Sequence, residues 1–377
     1  MNNRNPFIIT GYHGPELFCD RENETRTLIS NAENGVNTTL ISIRRMGKTG
    51  LILHTMERLS KNKNHICIYV DIYATQNLKD FANKLGSAIL DAFPERNTAG
   101  KKFMNLLKGL RPVLTYDVLT GQPQVSFTFS TQQQYEHSIE SLFQFLESQN
   151  KPILLAIDEF QQITKYPEKN MEALLRSHLH TLKNVNLIFS GSSHHILSEM
   201  FSDGTRPFFA STQFLYLKEI ERKTYINFIR SIFKSFHLNI EEDALNLVVD
   251  FSRLHTFYTQ SVCNRVFATR IKIITQEDVR QICRSFIFEQ EPLFFQYRNL
   301  LTPIQWNLLK AVAKEEKVYQ PNSKDFIEKH KLGIPANIQR AMESLLNKEM
   351  LYKGNDSTGA YYTVYDVFLS RWMEKLE

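Results

Sequence analysis

The sequence predicts an α/β fold, a parallel sheet wrapped by helices, followed by an all-helical region and a winged helix-turn-helix at the C-terminal end. Three observations predict it. Five short apolar runs alternate with longer helix-like segments over residues 1–217. Strand signals stop after about residue 218. The last 80 or so residues then read helix, helix, helix and hairpin. Strands separated by helices indicate a parallel sheet, because each parallel connection needs a crossover. Three helices and a hairpin are the order of a winged helix.

The five apolar runs are Thr38 to Ile43, His65 to Asp71, Ile153 to Ile157, Val185 to Ser190 and Gln213 to Leu217. A helical pattern follows the first to about Leu59, and another spans about Leu78 to Phe93. One stretch breaks the alternation. Pro112 to Val118 and Gln124 to Ser130 flank Leu119 to Pro123, and Val125, Phe127 and Phe129 alternate with polar residues. That is a β-hairpin inserted on the core at about 112–130. Helical patterns over 221–235, 241–251 and 257–269 come next, then Thr275 to Phe288 with Thr275 as N-cap. Thr302-Pro303 opens a helix to about Ala313, Ser323 caps one to His330, and Ala336 to Asn347 forms a third. Leu351 to Lys353 and Tyr361 to Val364 flank a Gly354–Gly359 loop. The expected domains are a core over 1–217, a helical lid over 218–297 and a winged helix over 298–377.

Composition narrows the function classes. With 42% hydrophobic and 23% charged residues, the chain is an ordinary globular one. Only 14 glycines occur in 377 residues, which excludes Gly-rich repeats and linkers. A net charge of +5 does not by itself point to nucleic acid or membrane. The four cysteines, Cys19, Cys67, Cys263 and Cys283, form no C-x-x-C pair, so reduced thiols are expected rather than a zinc site. No signal-peptide run and no membrane-length apolar stretch appears. The expectation is a cytoplasmic protein with no membrane partner.

The first apolar run leads into Arg44, Arg45, Met46, Gly47, Lys48, Thr49 and Gly50, then a helix. Gly-Lys-Thr between strand and helix is the working end of a P-loop. Gly47 lets the backbone approach phosphates, and the helix N-terminus attracts the anion. Lys48 would reach the β- and γ-phosphates of ATP, and Thr49 would ligate Mg2+. Ser42 stands where the full motif has its first glycine, which leaves open a working enzyme or a nucleotide sensor. The run Ile153 to Ile157 ends in Asp158 and Glu159. A fully apolar run suits a central parallel strand. Asp158 would hold Mg2+ with Thr49, and Glu159 would polarise the attacking water. The run Val185 to Ser190 ends in Ser190-Gly191-Ser192-Ser193. Ser192 first, and Ser190 second, would orient the water or the γ-phosphate; the alternative is hydroxyls capping the next helix. These parts make the sheet that of a P-loop NTPase.

In these motifs and their order the chain resembles the archaeal-type P-loop ATPases of the AAA+/STAND division with a C-terminal winged helix, in the form common in Bacteroidetes-like bacteria. The matching residues are Phe18 to Glu24, Arg44 to Thr49, Leu154 to Glu159, Ser190 to Ser192 and Tyr365 to Phe368. The resemblance implies an adenine pocket shaped by Arg21 and Glu22. It implies an arginine finger before the last core strand; Arg206 lies in that connection, while Ala210 sits nearer the family position. His255-Thr256-Phe257-Tyr258 resembles a lid motif reading His-Pro-Tyr-Tyr, with Thr256 in place of the proline, and His255 would touch the β-phosphate.

Other chemistry lacks support. His178, His180, His194 and His195 come with no companion metal ligands. The guanine signature Asn-Lys-x-Asp is absent after a later strand, which favours adenine. From Arg298 to Glu377, 12 Lys/Arg stand against 10 Asp/Glu, a difference of +2, whereas a phosphate-tracking surface is usually more basic. The favoured reading is a slowly hydrolysing ATP switch whose nucleotide state moves the winged helix. The alternative is a DNA-binding regulator with a structural or sensing core, and a third is a scaffold that self-associates on ATP.

Overall fold

A computed structural model describes residues 4–61, 65–110, 112–116, 121, 123–129 and 131–376. Two compact units emerge, Thr10–Glu219 and Ile220–Glu377, the second including the N-terminal segment to Ile9.

In the first unit α1 (Glu22–Glu33) precedes β1 (Thr38–Ile41), α2 (Lys48–Lys61), β2 (Ile66–Asp71), α3 (Leu78–Ala92) and α4 (Thr98–Leu110). A hairpin follows, β3 (Val113–Tyr116) and β4 (Pro123–Ser126). Then come α5 (Gln132–Glu147), β5 (Ile153–Asp158), α6 (Met171–Leu179), β6 (Val185–Gly191), α7 (His194–Ser202) and β7 (Gln213–Tyr216). All five expected strands pair in parallel, in the order β2-β5-β6-β1-β7. Every residue of β1, β5 and β6 is buried. The reason is two-sided packing. Leu154 and Ala156 face a core with Leu28, Leu51 and Ile52 of α1 and α2. Ile153, Leu155 and Ile157 face a core with Leu85, Leu142 and Leu175 of α3, α5 and α6. A strand covered on both faces has no polar positions to alternate.

The expected hairpin is present, but Pro123 belongs to its second strand, opposite Tyr116. Leu119, Thr120 and Gln122 of the expected loop lie outside the described residues. The hairpin is fixed to α3: Asn83 accepts from the Phe127 N–H at 2.8 Å, and Ser87 from the Val125 N–H at 2.8 Å.

The second unit contains α8 (Arg222–Ser235), β8 (Asn239–Ile240), α9 (Glu242–Phe251), α10 (Thr256–Ala268), β9 (Ile273–Ile274) and α11 (Gln276–Asn299). After these come α12 (Pro303–Glu315), α13 (Lys324–His330), α14 (Pro335–Asn347), β10 (Leu351–Asp356), β11 (Gly359–Val364) and α15 (Val367–Met373). Three differences from expectation stand out. Strands β8 and β9 pair in parallel where only helices are expected; two residues are too short to show a period. Helix α11 runs past Phe288 to Asn299, its far half held by Trp372, whose ring packs tilted against Phe294 at 5.5 Å and which donates to Glu291 at 2.9 Å. The wing turn is only Ser357-Thr358, with Asp356 opposite Gly359. Phe7 is also buried in this unit, 4.9 Å from Phe233, and Asn264 donates to its carbonyl at 2.7 Å. Among the described residues no helix is long and apolar enough to cross a membrane.

Candidate functional site

The carboxyl ends of β1, β5 and β6 lie side by side, and the candidate residues sit on the turns that leave them. After β1 the chain turns through Arg45 (φ +63°) and Gly47 (φ +97°) into the first turn of α2. The left-handed turn at Gly47 explains that glycine. Ser42 is not in that region, so a side chain there is unstrained. It is buried and in use: the Lys48 ammonium donates to Ser42 Oγ at 3.2 Å, to the Ser42 carbonyl at 3.3 Å and to the Ile43 carbonyl at 3.3 Å. Burial holds Lys48 below the ordinary lysine range; the Glu159 and Asp158 carboxylates oppose the shift, and Arg44 adds to it. Met46 is buried in the core shared with Leu51, while Arg44 and Arg45 are exposed.

Asp158 is the hub of the site. Its Oδ2 accepts from Thr49 Oγ1 at 2.7 Å and Tyr69 OH at 2.8 Å. Its Oδ1 accepts from Ser190 Oγ at 2.6 Å and the Glu159 N–H at 3.0 Å. Burial, with the Asp158 charge, pushes the Tyr69 phenol upward, so it remains a donor. A buried carboxylate beside a threonine hydroxyl is a hard-oxygen donor pair of the kind Mg2+ takes, so Thr49 and Asp158 fit that ion.

Glu159 has a left-handed backbone, φ +57°, a strain that persists where surrounding contacts fix it. Its Oε2 accepts from Gln161 Nε2 at 2.5 Å, Ser192 Oγ at 2.8 Å and the Ser192 N–H at 3.2 Å. The two serines thus divide the acids: Ser190 binds Asp158 and Ser192 binds Glu159. Sequence reasoning missed Tyr69 and Gln161. Tyr69 lies with Cys67 on the α1/α2 side of the sheet, a face that strand alternation foretells. Gln161 sits in the short 3-10 turn Phe160–Lys165, and no pattern marks it.

The segment before α1 also touches the loop helix. Phe18 lies 3.4 Å from where a Cβ on Gly50 would be and stacks on His54 at 4.4 Å. Arg21 is buried; its Nη1 donates to Glu24 at 3.0 Å, and its Nη2 is buried with no hydrogen-bond partner. Glu22 instead accepts from Arg58 of α2 at 2.7 Å. A cavity of about 760 Å3 opens here, lined by Phe18, Asp20, Glu22, Arg26, His54 and Arg58 among others.

Two candidates are engaged elsewhere. Arg206 pairs with Glu172 at 2.8 Å and Glu199 at 3.8 Å, so it must leave both acids to meet a phosphate. His255 belongs to the second unit, where it is buried at the start of α10 against Tyr258 at 4.7 Å. Among the described residues no three His, Cys, Asp or Glu side chains gather as a metal site.

Residues 18–252 match the family model described as an ATPase domain predominantly from Archaea. Residues 292–375 match one described as a "Probable winged helix domain". Among solved structures, a Walker-type ATPase of Pyrococcus abyssi is 16% identical with a TM-score of 0.66, over 98% of this chain and 99% of that one. The ORC2 protein of Aeropyrum pernix, solved in ADPNP–ADP complexes, is 15% identical with a TM-score of 0.62, over 99% and 96%. The ORC1 protein of the same organism, solved in complex with DNA, is 13% identical with a TM-score of 0.53, over 98% and 96%. At these identities the likeness is one of fold. No curated protein matches the sequence.

Proposed function

The chain belongs to the family of ATPase domains predominantly from Archaea, with a C-terminal winged helix, and we propose that it is an ATP-driven switch of the AAA+/STAND type. It binds ATP, hydrolyses it slowly to ADP and phosphate, and passes its nucleotide state to the winged helix. The observation that carries this reading is the meeting of Lys48, the Thr49–Asp158 pair and Glu159 at the carboxyl ends of β1 and β5, the two strands that flank β6.

Each residue has a task its surroundings support. The Lys48 ammonium is buried, and among the described residues its hydrogen bonds go to neutral oxygens, so an incoming phosphate is the stronger hydrogen-bond partner. The turn at Gly47 and the start of α2 present backbone N–H groups to it. Thr49 and Asp158 would hold Mg2+, which would supply charge neutralisation at the phosphates. Glu159 takes the proton of the attacking water. Arg21, with an unsatisfied buried Nη2, and Glu22 border the adenine site.

The lid and winged helix are one compact unit, which supports transmission. Arg371 of α15 donates to the Asp250 carbonyl at 2.6 Å and the Phe251 carbonyl at 3.0 Å, at the end of α9. Movement of α9 is thereby imposed on α15. His255, four residues beyond, is the lid residue proposed to sense the β-phosphate, and Arg206 is proposed as the finger once released.

Lys48→Ala is expected to abolish ATP binding by calorimetry. Glu159→Gln is expected to bind ATP but lose about 10²-fold or more in phosphate release. Parent-like binding by Lys48→Ala refutes the site. DNA is the runner-up partner, favoured by the DNA complex of the ORC1 neighbour. Against it, Glu343 sits exposed beside Arg340 on α14 and accepts from Gln339 at 2.9 Å, and Asp356 of the wing pairs with Lys317, just after α12, at 2.9 Å. Salt-steep gel shifts with no ATP turnover support that reading, whereas a nucleotide-dependent mass change by light scattering supports a self-associating scaffold.

A further inference from the structure

We propose that Gln161 is the positioning residue for Glu159, and that Gly191 is a glycine in order to admit it. This rests on the reading of Glu159 as the base. Three donors converge on one carboxylate oxygen of Glu159: the Gln161 amide at 2.5 Å, the Ser192 hydroxyl at 2.8 Å and the Ser192 N–H at 3.2 Å. All three go to Oε2, so Oε1 stays outside the cluster as the oxygen that receives the water's proton. The anchoring comes from two elements, the 3-10 turn and the end of β6. It fixes a side chain whose own backbone is left-handed.

The other end of the Gln161 amide shows that the residue serves Glu159 rather than packing. Gln161 is 6% exposed, and its Oε1 is buried with no hydrogen-bond partner. A buried acceptor left unsatisfied costs stability, and an apolar side chain of similar size would avoid the cost. The amide cannot gain by flipping, since Oε1 would then face the carboxylate. A Cβ on Gly191 would lie 1.9 Å from Gln161 Oε1, so any larger residue there expels the amide. Polar strain accepted at one end while the other grips the base is the pattern of a functional site.

The test uses the full chain, with ATP affinity, kcat, KM and thermal midpoint measured on each variant. Gln161→Leu is expected to lower kcat at least about tenfold while KM and ATP affinity stay within about twofold. Its thermal midpoint is expected at or above that of the parent. Gly191→Ala is expected to lower kcat alike, and Gln161→Leu/Gly191→Ala no further, because both changes remove one contact. A Gln161→Leu protein with parental kcat overturns the proposal, as does a fall in kcat matched by equal losses of ATP affinity and stability. Should Gln161→Leu fail to fold, Gly191→Ala and Ser192→Ala carry the same kcat-against-KM comparison. If Glu159→Gln itself keeps parental turnover, the assignment of the base has failed and the proposal falls with it. If Glu159→Gln is inactive and Gln161→Leu is not, the proposal alone is wrong.

Discussion

Cys19, Cys263 and Cys283 are buried and Cys67 is half-buried. Burial pushes the Cys19 and Cys283 thiols up to about 12, and raises Cys263 and Cys67 as well. The thiolate is the reactive form, so none of the four is poised for redox or nucleophilic chemistry. In a thiol titration at pH 8, the folded protein is expected to react slowly, and four thiols are expected to appear on unfolding. A rapid stoichiometric reaction of the folded protein would contradict this. Ser42 carries a parallel lesson at the same scale. Read as a missing glycine it suggests a damaged loop, yet its backbone is unstrained and its hydroxyl is a partner of Lys48. The serine supplies an acceptor to the Lys48 ammonium, the group proposed to bind phosphate.

At the scale of elements, Glu315 at the end of α12 holds α13. It accepts from His330 at 2.8 Å and pairs with Lys329. The Lys329 and then the His330 hydrogen bonds hold its carboxyl below the usual glutamate range. The folded state therefore binds the proton less readily than the unfolded chain. The stabilisation is complete above the unfolded value, about 4.3, and is lost as pH falls through the lowered one. Glu315→Gln is expected to cost about 1 kcal/mol or less near neutrality, with the difference shrinking as the pH falls below about 4.3 and through the lowered folded-state value in thermal unfolding of both proteins. A difference that stays constant with pH would refute the assignment. Elements also show what the sequence makes legible. Strand β5 could be read because burial on both faces demands an uninterrupted apolar run. Thr275, Thr302 and Ser323 could be read as caps, and each accepts the expected backbone N–H. The far half of α11 could not, because it depends on Trp372, some eighty residues away. In the site, Lys48, Thr49, Asp158 and Glu159 are local motifs at strand ends. Tyr69 escapes notice because sheet register, not sequence, brings it to Asp158, and Gln161, only two residues from Glu159, because its short 3-10 turn carries no pattern.

At the scale of the whole molecule, the helical region proposed as a lid and the winged helix are joined by a charged clasp rather than a linker. Arg371 donates to Glu316 at 2.9 Å and Glu374 at 3.0 Å besides the two α9 carbonyls, and Arg253 donates to Glu374 at 2.7 Å. Two arginines share two glutamates, with each arginine side chain 18% exposed. Burial, and then the neighbouring Arg371 charge, lowers the Arg253 proton affinity without neutralising it. Removing one partner from such a cluster leaves another charge poorly matched. Breaking a fully buried pair costs about 3–5 kcal/mol, and partial exposure reduces Arg371→Ala to about 2 kcal/mol. The clasp lies just before His255, and Arg253 and Leu254 both have left-handed backbones, φ +53° and +58°, so the chain is held in strain where the lid motif begins. If nucleotide state reaches the winged helix through this junction, Arg371→Ala should uncouple the two without emptying the ATP site. Hydrogen exchange reads this directly. In the parent, ATP is expected to change protection in both α10 and α14. In Arg371→Ala the change in α10 should persist and that in α14 should disappear, with ATP affinity kept within about threefold. Unaltered protection changes in α14 would show that the signal travels by another route, and a joint loss of ATP binding would show that the clasp serves the nucleotide site itself.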